Sequence, residues 1–167
     1  MHGADYTMRL TLIGGNMGEI ELTQGYKALV DDEDYEALKE YKWRAQKSKR
    51  NVHAVTKYCI SMHRFLLGVD DPKIEVDHKD HNGLNNQRKN LRICTARQNS
   101  LNQRKRQGNY SSSFKGIDWN KENQKWEARI RCGDGSRIRL GKYKTEIEAA
   151  EAYRFAAELL HGEFACV

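Results

Sequence analysis

Apolar and polar residues alternate with a period of two in several short runs of the chain's first half: TMRLTLIGG (7–15), GEIELTQ (18–24), YKALV (26–30) and NVHAVTKY (51–58). That period sends successive side chains to opposite faces, so each run predicts a strand with one buried face. DDEDYEALKEYKW (31–43) opens on acids, which favour the amino end of a helix, and predicts a helix or helical turn. SMHRFLLG (61–68) predicts a short helix carrying His63 and Arg64. IEVDH (74–78) and LRICT (91–95) predict two short strands joined by the turn-rich HNGLNN, and TARQNSLNQ (95–103) predicts a helix with Thr95 as N-cap.

In the second half, FKGIDWN, KWEARIRC and SRIRLGKY predict three strands separated by the turns KENQ and GDG. A helix follows: Thr145 and Glu148 form a capping box, and Ala149, Ala152, Tyr153, Ala156 and Leu160 recur on one stripe. Alternation sends Trp126, Ala128 and Ile130, with Ile138 and Leu140, toward that helix. Lys125, Glu127, Arg129, Arg131, Arg137 and Arg139 are left on the open face. Between the halves, NQRKRQGNYSSS has no apolar period and predicts a connection between two folded parts. The predicted fold class is α+β. Residues 1–101 form a first domain whose early strands buttress the segment around 74–103, residues 102–112 a basic linker, and residues 113–167 a second domain.

Charge narrows the partners. The chain carries a formal charge of +6 with a pI near 9.1. From Arg104 to Lys144 twelve Lys/Arg face four acids, whereas Glu146 to Glu163 holds five glutamates and one arginine. An open sheet face crowded with arginines repels itself unless a polyanion lies across it, which points to nucleic acid. No apolar run reaches the roughly 18 residues of a membrane span, and the N-terminus has no uninterrupted apolar core. The expectation is a cytoplasmic protein without a membrane partner. Cys59, Cys94, Cys132 and Cys166 are too scattered for a zinc pair or a disulfide framework and predict reduced, mostly buried thiols.

The chemistry concentrates in VDHKDHNGLNNQRKNLRICTARQNSLN (76–102). Strand, loop, strand and helix bring Asp77 and His78 next to Asn99, two hard oxygen donors beside an imidazole. Such a set suits a hard divalent cation that keeps waters and shares a phosphate, with an imidazole able to accept a proton near neutral pH. Asp80, Asn82, Asn85 and Asn86 are expected to shape the loop, and His81 to be an exposed loop histidine. His63 is expected to pack or anchor its helix, and His53 and His161 to be structural or exposed. Arg88, Arg92 and Arg97 are candidates for phosphate contact or solvent exposure.

Asp77–His78, Asn90 and Asn99 resemble the ββα-metal site of HNH endonucleases, and MHRFLLG followed by VDHKDHNGLNNQRKNLR resembles phage and bacterial homing members of that group. The terminal histidine of the family's name is Asn99 here, an H-N-N variant. The resemblance implies a site-specific DNA endonuclease in which Asp77 and Asn99 hold the metal, most simply Mg2+ with Mn2+ as the other choice. His78 is then the general base and Asn90 braces the loop. It also implies 5′-phosphate and 3′-hydroxyl products, a bacterial or phage-infected cell, and no small-molecule cofactor. One site per chain implies nicking of one strand by a monomer.

FKGIDW, KWEARI, RLGKYKTEIEAAEAYRFAA and HGEFA resemble the AP2 DNA-binding domain, whose sheet enters the major groove. Carried over, the family's contact pattern nominates Lys115, Arg129, Arg131, Arg137 and Arg139. Trp119 is placed either at the backbone or at a strand end. Asp118 stands where relatives carry arginine, which leaves base preference open. Arg104, Lys105 and Arg106 in the linker add phosphate contacts. The alternative is an AP2-type regulator with a degenerate HNH region, against which the intact Asp77, His78, Asn90 and Asn99 argue. An RNA-directed protein is the third possibility, and no RNP-like aromatic motif supports it.

Overall fold

Acids at the start of DEDYEALK and β-branched or aromatic residues elsewhere sort the chain into short elements. A computed structural model describes residues 17–106 and 108–167. In order they form β1 (Met17–Glu21), β2 (Lys27–Asp31), α1 (Asp32–Lys39), β3 (Arg44–Lys47), β4 (Val52–Val55), α2 (Met62–Leu67), β5 (Glu75–His78), β6 (Leu91–Cys94), α3 (Ala96–Asn102), β7 (Ile117–Asn120), β8 (Lys125–Arg131), β9 (Arg137–Tyr143) and α4 (Glu146–His161). The fold is α+β, as expected. The strand expected over residues 7–15 lies outside the described residues.

The strands pair locally. β1–β2, β3–β4 and β5–β6 are three antiparallel hairpins, and β7–β8–β9 is an antiparallel three-stranded sheet. Small hairpins need an apolar face to be stable. Here Ile20, Val30, Leu38, Trp43, Met62 and Leu91 share one buried cluster drawn from β1 through β6. The Trp43 indole N–H donates to the Leu38 carbonyl at 2.8 Å, satisfying its one polar atom inside that core.

A second cluster lies between the three-stranded sheet and α4. Ile117, Ala128 and Ile130 meet Ala149, Tyr153, Ala156 and Ala157. The alanines allow close approach, and Gly116 completes it. At φ +73° a Cβ there would collide with both the Tyr153 ring and the Arg129 carbonyl oxygen. The expected capping box forms: the Thr145 hydroxyl accepts from the Glu148 N–H, and the Glu148 carboxylate accepts from the Thr145 N–H.

The face of this sheet away from α4 differs from the expected crowd of arginines. Arg129 and Arg139 stand directly opposite one another, but Glu127, only 2% exposed, pairs with both guanidiniums. The hydrogen bond from Arg129 holds the Glu127 carboxyl below the usual range. A buried carboxylate between two guanidiniums relieves the repulsion between that pair. β8 and β9 shift register between Ala128 and Arg129, and Ile138, although directly opposite the buried Ile130, is 44% exposed.

A third, small cluster of Cys94, Leu101 and Phe164 ties α3 and β6 to the turn after α4. All four cysteines are free; Cys94 and Cys166 are buried and Cys59 is exposed. Among the described residues no helix is long and apolar enough to cross a membrane.

Candidate active site

β5 and β6 pair so that Asp77 stands directly opposite Arg92. Cross-strand neighbours share a face, and the Arg92 guanidinium donates to Asp77 Oδ2 from Nη2 at 2.6 Å and from Nε at 3.0 Å. α3 lies against that face. Its N-terminus is set by a capping box in which Thr95 accepts from the Gln98 N–H and the Gln98 amide oxygen accepts from the Thr95 N–H. Asn99 and Asn102, three residues apart, therefore both look onto β5. The Asn99 amide donates to Glu75 Oε2 at 2.6 Å, and the Asn102 amide donates to Asp77 Oδ2 at 2.9 Å and to the His78 carbonyl at 3.3 Å. All three side-chain donors to Asp77 use Oδ2. With the Asn99 amide nitrogen committed to Glu75, its oxygen is the free end.

His78, one residue on, projects to the other side of β5. Its ring lies among His53 of β4 and His63 of α2, and its Nε2 lies 3.4 Å from Asn86 Oδ1. The Asn86 amide nitrogen faces the Gly83 carbonyl at 3.4 Å, so its oxygen is the acceptor and His78 Nε2 carries the proton. Nδ1 is then the ring's lone pair. Burial, aided by the nearby His53, holds the His78 pKa below the ordinary histidine value, which keeps the ring neutral near pH 7.

The loop between the strands is held at several points. The Asn90 side chain donates to Asp80 Oδ1 at 3.0 Å and to the Asn85 carbonyl at 2.8 Å, and its oxygen accepts from the Asp80 N–H at 3.1 Å. Asn51, in the β3–β4 turn, accepts from the Gly83 N–H and donates to the His81 carbonyl, each at 3.0 Å. Gly83 is required there, because a Cβ would come within 2.5 Å of both His53 Nδ1 and the Val52 carbonyl oxygen. Farther along, the Leu29 N–H donates to the Leu84 carbonyl and the Asn86 N–H to the Leu29 carbonyl. β2 thus buttresses the loop from below.

Asp77, His78, Asn99 and Asn102 border one cleft of about 670 Å³. Lys49 and Arg50 of the β3–β4 turn and Arg104, Lys105 and Arg106 beyond α3 border the same cleft. Lys49 and Arg50 escape a sequence reading because nothing in the string links a hairpin turn to residues 76–106.

The remaining nominated residues are spread over the linker and the three-stranded sheet. The Lys115 ammonium is half-buried and donates to the Leu101 and Gln103 carbonyls at 2.6 Å each, docking the start of the sheet on the end of α3. Lys105 donates to the Phe114 carbonyl at 2.7 Å, and Arg104 to the Asp80 carbonyl at 3.2 Å. Trp119 packs edge-on against Trp126, and its backbone N–H donates to the Ser111 hydroxyl at 2.8 Å. Arg131 and Arg137 are exposed and directly opposite, next to the Arg129–Arg139 pair.

Several residues have roles the sequence did not suggest. Arg88, though exposed, pairs with Asp34, Arg92 is buried against Asp77, and Arg97 donates to the Asp134 carbonyl. The chain end closes over the site: Phe164 lies under the Arg92 guanidinium at 3.8 Å, and Arg92 also bonds the Glu163 carbonyl. His81, at φ 65°, is bonded to the Asn102 carbonyl and lies 3.6 Å from Cys166 Sγ rather than standing free in its loop.

Comparison with known proteins agrees with this geometry. Residues 68–101 match the family model described as HNH endonuclease. An uncharacterized HNH endonuclease of Acanthamoeba polyphaga mimivirus is 34% identical over 166 residues, covering 96% of this chain and 81% of the relative. The chain belongs to the HNH endonuclease family. Protein 3.8 of Escherichia phage T7 is 33% identical over 90 residues, 54% of this HNH chain and 72% of the phage protein. No solved structure matches. The matched HNH segment begins just after α2 and takes in β5, the loop, β6 and α3 up to Leu101, leaving out only the last residue of α3, Asn102.

Proposed function

We propose that this HNH protein is a metal-dependent, site-specific DNA endonuclease of the homing type that nicks one strand per monomer. The observation that supports it most is the shared cleft. Asp77, Asn99 and His78 all border one space that Lys49, Arg50, Arg104, Lys105 and Arg106 border as well. Two hard oxygen donors with room for water and phosphate fit a divalent cation such as Mg2+, with Mn2+ as an alternative. Asp77 and Asn99 would hold that ion. When bound, it supplies Lewis-acid stabilisation of charge on the phosphate and the departing oxygen.

The chain's own residues do the rest. His78 Nδ1 accepts a proton from the attacking water, and Asn86 keeps the ring in the tautomer that leaves Nδ1 free. Asn90 braces the loop, which supports its assignment as a positioning group for His78. Arg92 and Asn102 fix the rotamer of Asp77, so its remaining oxygen is aimed before substrate arrives. The products are a 5′ phosphate and a 3′ hydroxyl.

Double-stranded DNA is held by Lys49 and Arg50 on one side and Arg104, Lys105 and Arg106 on the other. Residues 113–167 serve as an AP2-like DNA-binding domain after a linker at 102–112, with Arg131 and Arg137 exposed on its open face. Arg129 and Arg139 are pre-oriented by Glu127, and Trp119 stands at the sheet edge. Lys115 acts first in joining the two parts. Supercoiled plasmid incubated with magnesium should convert to the open circle, with no conversion in excess chelator and strongly reduced conversion by Asp77→Ala and Asn99→Ala. Cutting that persists in chelator would overturn the metal-dependent assignment.

A further inference from the structure

His53, His63 and His78 come from three different elements, β4, α2 and β5, and converge on the side of β5 opposite Asp77's partners. One ring nitrogen from each can be chosen so that all three lie within 4.8 Å of one another. The ring centroids lie 4.9 to 5.7 Å apart and the rings are mutually tilted by 52° to 80°, so none of the three pairs is stacked face to face. His53 Nδ1 is buried without a hydrogen-bond partner, so this ring lacks the polar anchoring that buried histidines ordinarily have.

We infer that these three imidazoles form a second cation site, selective for zinc-like d-block ions, that shares only His78 with the hydrolytic centre. Donor chemistry separates the two sites. The Asp77–Asn99 side offers oxygen, which suits Mg2+, whereas this side offers imidazole nitrogen, which suits Zn2+, Co2+, Ni2+ or Cu2+. A tetrahedral ion with bonds of about 2.0–2.1 Å brings its nitrogens to roughly 3.4 Å apart. The three nitrogens, within 4.8 Å of one another, need only small ring movements to reach that spacing, and His53 and His78 also border the cleft through which solvent approaches.

The functional consequence rests on the assignment of His78 as the base. An ion bound by His78 occupies the lone pair that accepts the water proton, so zinc at this site silences cleavage supported by magnesium. The site is therefore inhibitory.

Chelator-stripped full-length protein titrated with Co2+ should develop the visible absorption of nitrogen-ligated cobalt at one equivalent, and Zn2+ should bleach it. His63→Ala and His53→Ala should each weaken binding by at least the roughly 10- to 100-fold that loss of an outer partner costs, while Asn99→Ala leaves it unchanged. Nitrogen-15 shifts of the three imidazoles in the wild-type protein give the same answer without a variant: all three should move on adding Zn2+. In the plasmid assay, one equivalent of Zn2+ should suppress magnesium-supported nicking in wild type, and His63→Ala should resist it. Absence of a cobalt spectrum, or binding that leaves the His63 ring unshifted, overturns the site. Failure of His78 as the base would leave the cobalt and nitrogen-15 results standing, so the two inferences fail separately.

Discussion

Asp77 and Arg92 are 9% and 7% exposed at their side chains, so each charge depends on the other for compensation. Removing one partner of such a pair strands the other in the interior. Arg92→Ala should therefore lower unfolding free energy by about 3–5 kcal/mol in urea melts. A change below about 1 kcal/mol would show that water already compensates Asp77. His63 makes a separate prediction about pH. With its folded pKa near 3 and an ordinary value of 6.5, the unfolded chain gains a proton on this residue while the folded chain does not. Stability contributed by the neutral ring is complete above pH 6.5 and is lost as pH falls from there toward 3. His53 and His78, whose pKa values are also lowered by burial, act in the same direction. Thermal melts between pH 7 and pH 5 should show a falling midpoint, and His63→Leu should flatten that slope.

At the scale of elements, α3 carries both Asn99 and Asn102, and its seven residues depend heavily on the Thr95–Gln98 box. Thr95→Ala should cost about 1 kcal/mol in stability. It should also weaken Mg2+ binding disproportionately, read as a higher metal concentration at half-maximal cleavage rate. The same element shows why so much was legible beforehand. β5, the loop, β6 and α3 follow one another without interruption, so local spacing carries Asp77, His78, Asn90 and Asn99 into one unit. β3 was not legible: WRAQKSKR alternates too weakly, and it becomes a strand only by pairing with β4 and burying Ala45. The histidine cluster was hidden for a related reason, since β4 and α2 reach His78 only through tertiary packing. Glu127 was hidden too, because strand alternation assigns a face but not the ion pairs that bury a charge on it.

For the whole molecule, the two halves are joined by side chains as well as by the linker. Lys115 grips the end of α3, and Phe164 and Glu163 hold Arg92, which holds Asp77. The C-terminal sheet is thereby connected, through Arg92, to the proposed metal-holding carboxylate. The cations of the cleft come from both the β3–β4 turn and the run after α3, so binding should depend steeply on salt. Lys49→Ala combined with Arg50→Ala should reduce the slope of log affinity against log salt by about 0.9 for each phosphate that is no longer neutralised. The measurement is a gel shift across a salt series, and an unchanged slope would remove the β3–β4 turn from the DNA path.

The central claim is that His78 is the base of a metal-dependent phosphodiester hydrolysis. Single-turnover cleavage of duplex DNA by wild-type and His78→Ala proteins, with binding measured on the same samples, tests it most directly. The account predicts equal DNA binding and cleavage slower by roughly 10²- to 10⁴-fold in the variant. Equal cleavage rates at equal binding would contradict it.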